Sequence, residues 1–442
     1  HDGKNLPSVR AGKQPYIVVG YRQTVFDFSD IGWPQDVRNC ATCHQKAAQG
    51  DNWKTAPSRA ACGSCHDGVN WETGKALYSG VKDHDAGPQK DDTQCKICHP
   101  ADSGQEFDAS VVGAHVIPER SKQLKGVNFS LDGAVVKPGE KPQVDFTLKD
   151  SAGAALDANK FDYLEITLAH PTGDYAHRVT ETVNRIVAAG QPAFIRTGTL
   201  TDLGGGKFRY TFTAPIDAGW KGSVGIGIAG YKNATIKGNE GKDVTVREGN
   251  VNPVIYVSLD GSKATPRRTA VKRESCNQCH LDLGSPAGLS VHGGIRRSPE
   301  YCVLCHNANQ TDEAQRPKEK MPPETIQLKY MIHSLHMGAE RDIPTEFFGR
   351  AAARTEEIGF PTAGGQQDCL KCHQPGTYVL PLPAAALPTT ITQAGQVVKT
   401  IQPVTAACTA CHASAQVVAH AEIMTSASRV ETCGVCQGPG SA

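Results

Sequence analysis

The 442-residue chain has no cysteine outside a close pair, almost no net charge, few aromatics and only four methionines. Each shortage excludes something. A formal charge of +1 offers no polycationic face for nucleic acid. No apolar run approaches the roughly 20 residues of a membrane-spanning helix. Aromatics at 6% and hydrophobic residues at 39% are lean for a length that predicts two to four domains. Such a chain needs apolar bulk from something other than its own side chains.

Paired cysteine is what the chain has in abundance. All 16 cysteines fall into C-x-x-C pairs: Cys40 with Cys43, Cys62 with Cys65, Cys95 with Cys98, Cys276 with Cys279, Cys302 with Cys305, Cys369 with Cys372, Cys408 with Cys411, and Cys433 with Cys436. Random placement would give about one such pair. Seven pairs are followed directly by histidine: His44, His66, His99, His280, His306, His373 and His412. C-x-x-C-H is the attachment signature of haem c. Two thioethers fix the porphyrin, and the adjacent imidazole sits beneath the iron as its proximal ligand. Zinc knuckles or a disulfide scaffold would not require a histidine after every second cysteine. Haem c is therefore expected at these seven sites, with Cys433 and Cys436 as an eighth. Haem c is attached outside the cytoplasm, and His1 rather than methionine opens the chain. An exported protein that has lost its leader is expected.

The eighth pair carries Gln437 where the others carry histidine. Three readings stand: an error or engineered change at a C-x-x-C-H site, a haem ligated from elsewhere, or a haem with an open, catalytic face.

Nine further histidines remain. His170 and His177 lie in a cysteine-free stretch and read as surface or hydrogen-bonded residues. His1, His84, His115, His292, His333, His336 and His420 lie among the cysteine pairs, and their number equals that of the proximal histidines. They are the candidate distal iron ligands. Four methionines are too few to be the general sixth ligand. Bis-histidine iron has no open position for a substrate, which suits electron transfer rather than bond-making, so no catalytic residue is expected. Arg296 and Arg297 are candidates to pair with haem propionates, or equally read as solvated surface arginines.

Three domains are expected: a partial multihaem domain over 1–117, an all-β domain over 118–268 and a second haem domain with five C-x-x-C sites over 269–442. The predicted fold class is multidomain, with haem-dense segments of short helices and much coil flanking a Greek-key barrel or sandwich. In the middle segment Val144, Phe146 and Leu148, then Phe208, Tyr210 and Phe212, then Val224, Ile226 and Ile228 alternate with other residues, as in half-buried strands. Turn signals at Lys137-Pro138-Gly139, Pro171-Thr172-Gly173 and Gly204-Gly205-Gly206 separate them.

An internal repeat joins the two haem segments. His1, Ile31-Gly32-Trp33-Pro34 and Cys40 parallel His336, Ile358-Gly359-Phe360-Pro361 and Cys369. Arg59-Ala60-Ala61-Cys62 parallels Thr405-Ala406-Ala407-Cys408, and His84 before Cys95 parallels His420 before Cys433. Sites one to three thus match sites six to eight. The counterparts of His333 and His115 would fall beyond the two ends, so a chain cut at both ends is expected.

The run from Pro34 to His44, His292-Gly293-Gly294 with Arg296-Arg297 before Tyr301-Cys302, Met331-Ile332-His333-Ser334-Leu335-His336, Tyr378 to Pro383 and Ala419-His420-Ala421 together resemble the outer-membrane decahaem cytochromes c of metal-reducing bacteria, the MtrC/OmcA type. The resemblance covers nearly the whole chain. It implies two pentahaem domains alternating with two β-barrel domains, of which this chain holds the last three haems of the first, the second β domain and the second pentahaem domain. It also implies bis-histidine ligation, with His84, His115, His292, His333, His336 and His420, and less firmly His1, on the distal side. Eight sites where ten are expected, Gln437, and a β segment without the disulfide of some relatives are departures.

The expected function is an extracellular or outer-surface electron conduit, closer to a terminal metal reductase than to an enzyme with a pocket. Its expected partners are a porin–cytochrome complex or other cytochromes, Fe(III) or Mn(IV) mineral surfaces and flavins. The rivals are an octahaem oxidoreductase of nitrite, hydroxylamine or tetrathionate, and a subunit of a cytochrome filament, that is, a homopolymer.

Overall fold

In the computed structural model, which describes residues 3–44, 47–187, 194–349, 352–359 and 368–438, the period-two segments are strands. The chain divides into two units. One is His1–Lys125, Asn233–Glu248 and Gln278–Gly293; the other is Gly126–Lys232, Gly249–Asn277 and Gly294–Ala442.

The second unit contains most of the β core, while residues 233–248 belong to the first. Strands β1 (Asn128–Val135), β2 (Gln143–Lys149), β3 (Tyr163–His170), β4 (His177–Ile186), β5 (Phe194–Ile195), β6 (Thr199–Gly204), β7 (Lys207–Thr211), β8 (Ser223–Lys237), β9 (Asp243–Glu248) and β10 (Val254–Ser258) form two sheets. One has the order β6-β7-β2-β1; the other runs β9-β8-β3-β4-β5, with β10 also on β8. The expected sandwich-or-barrel choice resolves as two separate sheets with no closed barrel among the described residues. Val144, Phe146, Leu148, Phe208, Tyr210, Val224, Ile226 and Ile228 are all buried in one cluster with Leu164, Ile166 and Leu168 from β3. Phe146 and Phe208, cross-strand partners, stack at 5.5 Å.

One expectation fails. Gly225 and Gly227 should face water if β8 were half buried, yet Ser223 to Gly230 is buried throughout. The cause is distant in sequence. Tyr301 and Leu304 lie against these glycines: a Cβ on Gly227 would come within 2.6 Å of the Tyr301 ring and 2.8 Å of Leu304. Both side chains belong to the helix Pro299–Cys305, which starts as its sequence dictates. The Ser298 hydroxyl accepts from the Tyr301 amide, Pro299 occupies the first turn and Glu300 complements its positive end. That helix carries the fifth cysteine pair.

The first unit is built differently. Between Gly3 and Ile117 the only buried hydrophobic side chains among the described residues are Leu6 and Ile117. Over that stretch the helices are short, such as Arg59–Gly63, Cys95–Cys98 and Val111–Ala114, and the described strands pair as small hairpins, as at Ile17–Val19 with Val25–Asp27. Over 100 residues with so little buried apolar surface of their own lack the usual driving force for folding. The back segment adds hairpins that the sequence reading did not anticipate, Glu346–Phe348 with Ala352–Arg354 and Thr389–Gln393 with Gln396–Ile401.

Because β8 must admit the Tyr301 ring, Gly227→Val should destabilise the protein by about 2 kcal/mol, despite the better strand propensity of valine. Urea unfolding measures this; an unchanged or raised midpoint would contradict the packing described.

Candidate haem sites

Each cysteine pair occupies one helical turn. The amide of the residue after the second cysteine donates to the carbonyl of the first: 3.0 Å at His44, 2.8 Å at His66, 2.9 Å at His99, 2.8 Å at His306, 2.8 Å at His373 and 2.9 Å at His412. Gln437 keeps the same bond to Cys433 at 2.9 Å. The fourth pair, Cys276 and Cys279, lies within the helix Arg273–His280. Residues four apart on a helix share a face, so the first sulfur and the imidazole leave the turn on one side. Among the described residues no cysteine is in a disulfide, and no group of three or more His, Cys, Asp and Glu side chains converges on a bare ion. The pairs do not assemble into the fours that zinc takes.

The cysteines are not packing residues either. Cys65, Cys98, Cys279, Cys369, Cys372 and Cys436 are exposed, whereas Cys40, Cys62, Cys95, Cys276, Cys302, Cys305, Cys408, Cys411 and Cys433 are half-buried. The backbone of Cys43 belongs to the helix Ala41–His44, but its side chain lies outside the described residues. Free cysteine is ordinarily among the most buried residue types. Sulfurs left at the surface, as at both Cys369 and Cys372, fit attachment of an external group.

The imidazoles are oriented through one nitrogen. Nδ1 faces a backbone carbonyl at His84 (Gly87, 3.0 Å), His99 (Ala109, 2.8 Å), His115 (Val111, 2.7 Å), His280 (Pro34, 3.3 Å), His306 (Ile326, 2.8 Å) and His336 (Ile332, 2.9 Å). A carbonyl can only accept, so Nδ1 carries the proton, the tautomer usual for a histidine that ligates a metal through Nε2. Burial lowers the pKa of His66 and His373, and pushes His306 and His333 down to about 4. These rings are neutral at physiological pH.

Three candidate distal histidines stand opposite proximal ones. Ring centroids are 6.2 Å apart for His66 and His115, 6.4 Å for His84 and His99, and 5.9 Å for His333 and His373. One iron between two imidazoles requires bonds of about 2 Å and roughly 1 Å more to each ring centre, or about 6 Å in all. The spacing, the Nδ1-protonated tautomers and the sparse apolar core of residues 3–117 all fit haem c. Of the other distal candidates, His292 lies on a 3₁₀ turn at φ 50°, His336 on the helix Leu328–Met337 and His420 exposed on the helix Ala415–Ile423. His1 lies outside the described residues. His170 stacks on Trp220 at 4.5 Å and its Nε2 faces the Lys221 carbonyl at 2.7 Å, so that ring is engaged in the β segment as expected.

Arg296 and Arg297 are not solvated surface arginines, the other reading of these residues; both are largely buried and hydrogen-bonded. Arg296 donates to Glu165 Oε1 from Nε (3.1 Å) and Nη2 (2.9 Å), and Arg297 donates to the Gly294 and Gly249 carbonyls. Glu165, on β3, also accepts from Tyr163 (2.6 Å) and Tyr301 (2.9 Å). Burial opposes the charge on Arg296, but Glu165 outweighs it and holds the guanidinium above its ordinary pKa. Burial, with Glu165 adjacent, keeps the Tyr301 phenol protonated and donating. The fifth cysteine pair is thus pinned to the sheet by a buried charged network that sequence reasoning missed. It also missed two aromatic supports: Trp71 meets His84 edge-on at 5.7 Å, and Tyr378 meets His373 edge-on at 5.9 Å. The scarcity of tryptophan could have drawn attention to the first.

Comparisons with known proteins agree with this chemistry. The family described as outer membrane cytochrome MtrC/MtrF-like, domains II/IV, matches residues 18–111 and 268–442. Multiheme cytochrome MtrC of Shewanella baltica (strain OS185) is 28% identical over 201 residues, 43% of this chain and 29% of that protein. The crystal structure of MtrC from Shewanella baltica OS185 shares the fold, with a TM-score of 0.59 at 19% identity over 91% of this chain and 64% of that one. The crystal structure of the outer membrane decaheme cytochrome OmcA gives a TM-score of 0.39 at 18% identity, covering 65% and 44% of the two chains. This chain spans less than two thirds of the length of each of these relatives.

Removing the carboxylate that pins the fifth pair should be costly. Glu165→Ala leaves Arg296 and two phenols without their acceptor and should lower unfolding free energy by about 3 kcal/mol. Glu165→Gln, which keeps an acceptor oxygen, should lose less. Denaturant titration of both variants checks the order; a loss below about 1 kcal/mol for alanine would contradict it.

Proposed function

Because the chain belongs to the MtrC/MtrF-like outer-membrane cytochromes, a multihaem family of the MtrC/OmcA type, we propose that it is an extracellular electron-transfer protein passing electrons to acceptors at the outer cell surface. The observation that carries this reading is the set of three proximal–distal imidazole pairs at iron-bridging separation. Haem c supplies reversible one-electron exchange at each iron when bound. The chain's residues do the rest. Each cysteine pair tethers one ring by two thioethers. His44, His66, His99, His280, His306, His373 and His412 hold the proximal side. His115, His84 and His333 hold the distal side opposite His66, His99 and His373, while His292, His336, His420 and His1 complete the set of distal candidates. Where two imidazoles face each other they would leave the iron no open position, which would keep substrates off the metal and the potential low.

The proposed organisation is a partial multihaem domain over 1–117, a Greek-key β domain over 118–268 and a pentahaem domain over 269–442. The β domain fixes one haem-bearing helix through Tyr301 and Glu165 rather than contributing a redox group. Donors and acceptors proposed for it are other cytochromes of an outer-membrane complex and Fe(III) or Mn(IV) minerals, with no substrate pocket required.

Two outcomes test this. Fully reduced holoprotein mixed with a soluble ferric chelate should be reoxidised across its entire Soret band; a fraction of haem that stays reduced would contradict a connected row. Separately, His84→Ala should convert one haem to high spin in the ferric electron paramagnetic resonance spectrum, since His99 would then be its only imidazole. An unchanged spectrum would contradict the pairing.

A further inference from the structure

The eighth cysteine pair differs from the rest at one atom set: Gln437 offers a carboxamide where an imidazole belongs. Its backbone does not differ, for the Gln437 amide still donates to Cys433 at 2.9 Å. The turn that presents a proximal ligand is intact, and only the ligand is changed.

The internal repeat says which histidine faces this turn. The third and eighth pairs are counterparts, and so are His84 and His420. In the front copy His84 stands opposite His99, the histidine of the third pair, at 6.4 Å. The back copy brings its own elements together locally. The Met424 amide donates to the His420 carbonyl at 3.0 Å, the Thr432 amide to the Met424 carbonyl at 2.9 Å, and Thr425 and Glu431 form an antiparallel bridge. The helix bearing His420 therefore turns straight back into the cysteine pair. Around it Ile423, Val430 and Val435 are 82%, 60% and 76% exposed. Three bare aliphatic side chains beside one short turn suit a flat apolar group lying over them.

We propose that the haem tethered by Cys433 and Cys436 takes His420 as its single imidazole and holds, on the Gln437 side, a coordination position open to small π-acceptor ligands. This rests on reading the cysteine pairs as haem c sites. A carboxamide oxygen is a hard, weak donor to haem iron and yields to stronger ligands. Carbon monoxide and nitric oxide fit the ferrous iron and cyanide the ferric. At the second, third and sixth pairs a second imidazole, from His115, His84 and His333, stands opposite the proximal one.

The test uses holoprotein and three readouts. Peptide mass mapping establishes whether the Cys433–Cys436 peptide carries haem. Ferric electron paramagnetic resonance should show a high-spin component that is absent in Gln437→His. Carbon monoxide added to the reduced protein should shift the Soret band of one haem. In Gln437→His, a change at an exposed residue, the high-spin signal and the carbon monoxide shift should both disappear. Haem on the other seven peptides but not on this one would overturn the inference and leave the wider reading standing; haem on none would overturn both. Haem present with every iron low-spin and inert to carbon monoxide would also overturn it. So would a near-infrared iron–thioether band lost in Met424→Leu, since Met424 would then be the missing ligand.

Discussion

One helical turn, repeated, is the constraint on which the molecule depends. The amide that follows each cysteine pair closes onto the carbonyl of the first cysteine, and that bond sets where the sulfur and the imidazole leave the backbone. The covalent chemistry demands this: two sulfurs must reach one porphyrin edge while the ring nitrogen reaches its centre. A three-residue spacing on a helix satisfies both requirements with no help from tertiary structure. This is why the turn survives in surroundings as different as the coil of the first unit and the sheet-packed helix of the second. It is also why Gln437 preserves the geometry while losing the donor.

The front haem segment and the β segment solve the problem of burial in opposite ways. From Gly126 to Ser258 the chain buries its own alternating side chains between two sheets. From Gly3 to Ile117 it buries almost none, so cofactors must supply the apolar mass, in line with the low aromatic content. The second unit joins the two solutions at the helix Pro299–Cys305. There Tyr301 and Leu304 fill the space that Gly225 and Gly227 leave open, and Glu165 holds Arg296 and Tyr301 beneath the sheet.

Much of the site was legible because attachment chemistry is local. The cysteines and proximal histidines stand within five residues of each other, and the spacing names the cofactor. The strands were legible too, since Val144, Phe146 and Leu148 or Val224, Ile226 and Ile228 show the period of the pleat. What could not be read is what long-range packing decides. His84 meets His99 across one loop, but His66 meets His115 and His333 meets His373 across whole stretches of chain, and no fixed spacing announces such pairs. Gly225 and Gly227 looked solvent-facing because nothing near them in sequence covers them. Arg296 looked like a propionate partner because it neighbours a cysteine pair; its carboxylate is Glu165, 131 residues earlier on a strand.

Quantifying pigment and metal on the denatured polypeptide tests the central claim most directly. After unfolding and extraction in acidified organic solvent, the account predicts that the Soret-absorbing pigment stays with the protein and that iron is present at one atom per attached haem. Pigment released into the solvent, or zinc recovered in place of iron, would contradict it.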